Sequence, residues 1–160
     1  MTGNVLGVNH VSLVVHEHNL DAVADKWERI LGLDFEEINS LELGLRMKVD
    51  LDAGIELVAP LGSTGAHGAL FKKHLDEHGE GFHSIIFRVD NLGEARRAIT
   101  ESGNTVTREI RLRGDEPWFD RYSEFVALAF EPIHGIHASV ARIEQIPERR
   151  RQPKQRDPGT

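Results

Sequence analysis

"GEGFHSIIFRVDNL", residues 79–92, is the stretch from which the rest of the chain can be read. Gly79 and Gly81 make a break, and Phe82 to Val89, rich in aromatic and β-branched residues, reads as a strand. Asp90-Asn91-Leu92 then turns into a helix. Simple alternation sets His83 on the strand face opposite Phe82, Ser84 and Ile86. A single histidine in such a strand is ordinarily a hydrogen-bonded core residue, so its meaning depends on whether it stands alone.

It does not, because the chain repeats itself. "GVNHVSLVV", residues 7–15, is strand-like, with Val11, Leu13 and Val15 on one face and His10, Ser12 and Val14 on the other. "NLDAVADKWERILGLDF" follows as a helix opening at Asn19, with Leu20, Val23, Trp27, Ile30 and Leu31 at helical spacing and Gly32 at its end. "LGLRMKVDL" and "GIELVAP" are two strands joined by a turn at Asp52-Ala53-Gly54. The second half keeps this order: the strand around His83, a helix from Asn91 to near Gly103, then "EFVALAFEP" and "GIHASVARIE". The reading is α+β, two βαβββ modules at about 5–60 and 80–145, with a linker helix at about 66–78, inside a single domain spanning 5–145.

On that repeat His10 and His83 hold corresponding places, each opposite the apolar stripe that faces a helix. Glu56, in "GIELVAP", projects opposite Ile55 and Leu57, where an unpaired buried carboxylate costs several kcal/mol. Two imidazoles and a carboxylate converging on one point are a divalent metal site. By the same logic Gly135-Ile136-His137 mirrors Gly54-Ile55-Glu56, which nominates His137 as a fourth ligand.

Composition limits the alternatives. There are no cysteines, so no disulfide framework, thiolate site or cysteine nucleophile. Of 19 basic and 26 acidic residues, five and two lie in the tail 147–160, leaving 14 against 24 in the body. So acidic a body argues against a nucleic-acid surface. No apolar run approaches a membrane span, and the first residues carry no signal pattern, so the expected place is the cytoplasm. The Pro- and Arg-rich tail reads as a disordered basic terminus. Phosphate-loop, dinucleotide and Ser-His-Asp patterns are missing.

The stretch "IELVAPLGSTGAHGALFKKHLDEHGEGFHSIIFRVDNL", residues 55–92, resembles the vicinal oxygen chelate superfamily of glyoxalases, bleomycin- and fosfomycin-resistance proteins and extradiol dioxygenases, and within it the methylmalonyl-CoA epimerase-like members. The similarity covers roughly 5–145 and is specific from 54 to 92. It implies a cupped, curved mixed sheet around one divalent metal (Co, Mn, Zn, Ni or Fe), held here by His10, Glu56 and His83, and a homodimer. It also implies that Glu42, in "LELGLRM", is a base beside the metal, positioned to take a proton next to a carbonyl.

The sequence departs from that pattern in two places. Where the family has a glutamate on its last strand, this chain has Ser139; His137 on the same strand face and Glu144, reached only by a slip of register, remain as candidates. In the segment "RGDEPWFDRYSEF", Trp118, Phe119 and Tyr122 place three of the chain's ten aromatic residues within five positions, with Arg113 or Arg121 for an anion. As a loop it would wall a substrate pocket. His16, His18, His67, His74 and His78 read as surface residues of loops and the linker helix, and His134 is left unassigned. The expectation is thus a metal-dependent isomerase or epimerase acting on an acyl-CoA or related small carbonyl compound. The alternatives are an Fe(II)-dependent dioxygenase or lyase on an aromatic or polyketide-like substrate, and a cup that binds a small molecule without chemistry.

Overall fold

The computed structural model describes residues 4–41, 43–62, 65–111 and 122–146. Glu42, the aromatic segment through Arg113, Trp118, Phe119 and Arg121, and the basic tail lie outside them. Among the described residues the fold is α+β: eight strands and three α-helices. They run β1 (Val5–Val14), α1 (Leu20–Leu31), β2 (Glu36–Ser40), β3 (Leu45–Asp50), β4 (Ile55–Pro60), α2 (Ala66–His78), β5 (Gly81–Val89), α3 (Leu92–Glu101), β6 (Val106–Arg111), β7 (Tyr122–Phe130) and β8 (His137–Gln145).

All eight strands form one mixed, curled half-barrel sheet in the order β2-β3-β4-β1-β5-β8-β7-β6. Each half is a βαβββ unit whose first strand lies at the centre, β1 beside β5 and antiparallel to it. β4 is parallel to β1, and β8 parallel to β5. The edge strands β2 and β6 carry few apolar residues, Ile38 in β2 and Val106 and Ile110 in β6. Their alternation is therefore faint in the sequence, and pairing with β3 and β7 defines them.

The sheet has two apolar faces. On the outer one, Leu20 and Ala24 of α1 pack on Val15, Leu57 and Ala59, with Leu13, Val23 and Trp27 around them. Gly32, at φ 69°, closes α1 in the left-handed conformation, as its place after the last apolar residue predicts. At α3, Asn91 Oδ1 accepts the Glu94 backbone N–H, a helix N-cap. Asn19 instead donates its Nδ2 to Glu80, 2.8 Å away, where a 3-10 turn at Glu17–Asn19 precedes α1. On the inner face Met47, Val58, Ile86, Ala127 and Ala141 build the floor of the cup.

Three irregular steps lie where β1 and β5 meet: one near the start of β1, where Val5 pairs with Val89 and Gly7 with Arg88, and two β-bulges nearer the site. Val8 pairs with Phe87 and His10 with Ile86, leaving Asn9 extra; Ser12 pairs with Ser84 and Leu13 with Phe82, leaving His83 extra. Gly54 fits against the first bulge: its φ is 69°, a Cβ there would stand 2.6 Å from the Asn9 carbonyl oxygen, and its own carbonyl accepts the Val11 N–H at 2.9 Å.

Candidate functional site

The concave face of the sheet and α2 enclose a cavity of about 450 Å³. Its walls are largely apolar, with Leu43, Met47, Phe71, Ile110, Phe125 and Phe130 among them. From β1, β4 and β5 it receives His10, Ser12, Glu56 and Ser84, the last three almost fully buried. From β8 it receives His137 and Ser139, which pair with Ser84 and Ile86 and so share their face.

His10 and Glu56 form the polar centre. His10 Nε2 is 3.7 Å from Glu56 Oε2, and the Ser12 hydroxyl donates to that same oxygen. At the other ring nitrogen, Asn9 Oδ1 lies 2.7 Å from Nδ1. An acceptor there selects the Nδ1–H tautomer and leaves the Nε2 lone pair facing the carboxylate side of the cup. Burial lowers the pKa of His10, and the Glu56 charge raises it in part. The imidazole is therefore held neutral at physiological pH, the state of a general base.

His83 reaches the cavity by a different route from the one alternation predicts. Ser84 and Ile86, expected to face a helix, are on the cup side, opposite Ser12 and His10. His83 joins them because it is the extra residue of the bulge, which turns its side chain to the same side as Ser84. Its Nδ1 is 2.9 Å from the Ser84 hydroxyl. The strand pairing also corrects the internal correspondence. The two-fold that exchanges β1 and β5 relates His10 to Ser84 and Ser12 to Ile86, so the counterpart of His83 is Asn9. Carried outward, Glu56 opposite Ser12 corresponds to Ser139 opposite Ile86.

That correspondence bears on the divalent metal the resemblance implies. The four positions equivalent under the two-fold hold one imidazole, one carboxylate and two hydroxyls, and serine hydroxyls are poor partners for the ions named above. The four expected ligands divide instead into two groups, His10 with Glu56, and His83 with His137. Among the described residues no three ligating side chains converge on one point. The residues present do not fit a four-ligand centre. Glu144 is exposed, paired with Arg142 at 3.0 Å.

The second group belongs with α2. His74 lies edge-on to both His83 and His137, at ring-centroid distances of 4.7 and 5.9 Å, and His83 and His137 stack at 5.5 Å. Phe71 packs on His83 at 4.3 Å. Burial, with His74, His137 and Arg108 nearby, holds the His83 pKa down to about 3. Burial lowers His137 too, followed by its histidine neighbours. His67 is pushed down to about 4 by burial and by Arg108, whose Nη1 is 2.9 Å from its Nδ1. His67, His74 and His78 read from sequence as surface residues; His78 is exposed at the cavity's rim, while His67 and His74 are half-buried in its wall. The signal was their spacing: 67, 71, 74 and 78 fall on one helical stripe with Phe71.

Tyr122, expected in a loop over the pocket, is the first residue of β7 and 3% exposed, in the core with Ile38, Leu45 and Ile143. His134 sits exposed at φ 50° beside Gly135 in a two-residue turn closed by Ile133 and Ile136. His16 and His18 are exposed and stack on each other.

A model of the glyoxalase/bleomycin resistance protein/dioxygenase superfamily matches residues 9–119. No curated protein matches the sequence. Among solved structures, the methylmalonyl-CoA epimerase of Mycobacterium tuberculosis superposes with a TM-score of 0.67 at 22% identity, covering 92% of this chain and 93% of the other. The Streptomyces coelicolor methylmalonyl-CoA epimerase in complex with 2-nitronate-propionyl-CoA gives 0.64 at 21% identity, over 87% and 98%. A hypothetical protein of Bacillus halodurans gives 0.66 at 17%, over 84% and 92%. These likenesses concern the fold.

Proposed function

The chain belongs to the glyoxalase/bleomycin resistance protein/dioxygenase superfamily, and from that premise we propose that it is an isomerase or epimerase-like enzyme moving a proton at the carbon next to a carbonyl of a small acyl compound. One observation carries this reading: a neutral, oriented imidazole, His10, beside a buried carboxylate, Glu56, at the head of an apolar cavity. In the proposed step His10 Nε2 takes the proton, the carbon–hydrogen electron pair moves into the carbonyl to form an enolate, and Glu56 stabilises the imidazolium. Inversion needs a second group on the opposite face to return a proton. We assign that role to Glu42, whose neighbour in sequence, Leu43, lines the cavity.

The test is hydrogen exchange in heavy water. With propionyl and methylmalonyl thioesters as probes, deuterium should enter the α-carbon, without oxygen uptake, and His10→Ala should abolish it. A second reading is favoured by Ser84 and Ser139 at the ligand-equivalent positions: a cup that binds without chemistry. Saturable binding without exchange in the unmodified protein would establish that one instead.

We also propose a homodimer. Val5, Leu6 and Val8 support it, three apolar side chains left about half exposed on the first half of β1; sedimentation equilibrium of the protein and of Leu6→Glu tests it. No helix among the described residues is long and apolar enough to cross a membrane.

A further inference from the structure

Arg108 presents an unmet charge to the cavity. It lies on β6, in the irregular step after Val106 that sets both Thr107 and Arg108 against the cavity. Three other arginines of the sheet are answered by carboxylates: Arg46 by Asp21 and Glu37, Arg111 by Glu109, Arg142 by Glu124 and Glu144. Lys73, the other cation in the wall, is answered by Glu77 at 3.7 Å. Arg108 has no carboxylate within ion-pair distance among the described residues. Its one partner is His67, which the same guanidinium helps to keep uncharged. Its Nε is buried and has no hydrogen-bond partner.

A guanidinium remains charged under any such burial, and an orphaned donor on it costs more than a neutral one. With Nη1 engaged by His67 and Nε closed off in the wall, Nη2 is the remaining donor, and a charge-assisted bond from it suits a carboxylate oxygen. A phosphate dianion ordinarily gathers several cations or backbone N–H groups; here one permanent cation is set among Ile110, Phe125 and Phe130, which suits a monoanion on an apolar body. We propose that Arg108, positioned by His67, is the receptor for the carboxylate of the molecule the cup takes, so that its ligands are carboxylic acids with an apolar chain or ring. This deepens the proton-transfer reading by naming the ligand's charged end. It rests on that reading only for the choice of cavity, because its test is binding and needs no turnover.

The experiment compares phenylacetate, its neutral amide phenylacetamide, and inorganic phosphate by calorimetric titration, with the imidazole resonances of His67 followed by NMR. Phenylacetate should bind about tenfold or more tightly than the amide and move the His67 signals. Arg108→Gln should erase the preference, and Arg108→Lys should keep part of it. Equal affinity for acid and amide, a preference that survives Arg108→Gln, no saturable binding of the acid, or phosphate binding in place of the acid would each overturn the proposal. The acid–amide comparison and the His67 shifts on the unmodified protein stand even where a variant fails to fold.

Discussion

His10 Nε2 stands 3.7 Å from Oε2 of Glu56, and that oxygen accepts the Ser12 hydroxyl. The carboxylate is therefore shared by both neighbours, and neutralising it has a different consequence from removing its donor. Glu56→Gln keeps the shape but removes the charge that raises the His10 pKa, so burial acts unopposed. The His10 titration midpoint, read from its NMR signals, should move lower in that variant. Ser12→Ala deprives a buried carboxylate of a donor and should destabilise the fold by about 1.5–3 kcal/mol, measured by urea unfolding. An unchanged His10 midpoint in Glu56→Gln would mean that the pair is not coupled.

The histidines of the wall make stability depend on acid. His83 titrates at about 3 and His67 at about 4 in the fold, against the ordinary value near 6.5 in the unfolded chain. Between those values the unfolded chain binds more protons, so stability rises with pH across the window. It is complete above about pH 6.5 and is lost as pH falls toward the folded-state values, on the order of 2 kcal/mol for His83 by about pH 5 and less for His67, which solvent partly screens. The lowered carboxylates Asp21, Glu37 and Glu80 add their loss only at lower pH, as they begin to protonate. Unfolding midpoints at pH 7 and pH 5 check this, and His83→Gln should flatten the difference. Equal midpoints in the unmodified protein would contradict the burial described here.

Gly54 tests the support beneath His10. Its left-handed φ of 69° and the 2.6 Å that would separate a Cβ from the Asn9 carbonyl oxygen leave no room for a side chain. Gly54→Ala should cost about 1–3 kcal/mol and lower exchange activity by displacing the bulge that aims His10. Gly103, just after α3, whose added Cβ would meet nothing within 4 Å, serves as the control at a similar positive φ of 85°. Equal losses at the two positions would reduce the effect at Gly54 to backbone strain alone.

These positions also show what the sequence could carry. The first strand of each module, the three helices and the turn before β4 follow from alternation, helical spacing and glycine, because those signals are local. Glu56 and His10 were legible for the same reason: each is a titratable residue on the inward face of a largely apolar strand. The bulge at His83 was not, since an extra residue changes every later side chain's face and only pairing with β1 reveals it. Arg108 was missed because β6, an edge strand alternating Val106, Arg108 and Ile110 with Thr107, Glu109 and Arg111, looks like solvated surface. The cavity that half-buries it is made by α2 and β7, far away in sequence.

The equivalence of His10 with Ser84 and of Glu56 with Ser139 can be tested by completing the donor set. As the chain stands, one imidazole and one carboxylate give at most a weak chelate, so the purified protein should hold well under one equivalent of divalent ion, and a chelator should leave its thermal midpoint unchanged. Ser84→His combined with Ser139→Glu supplies two imidazoles and two carboxylates at positions related by the two-fold of the sheet. That double variant should bind about one equivalent of Zn²⁺ or Co²⁺ and melt at a higher temperature in its presence. His83→Ala added to it should leave the metal in place, because His83 is the counterpart of Asn9, while His10→Ala should release it. Mass spectrometry of the metal content reads all of these. A full equivalent in the unmodified protein, lost on His10→Ala or His83→Ala, would restore the four ligands expected from sequence and overturn the correspondence drawn from strand pairing.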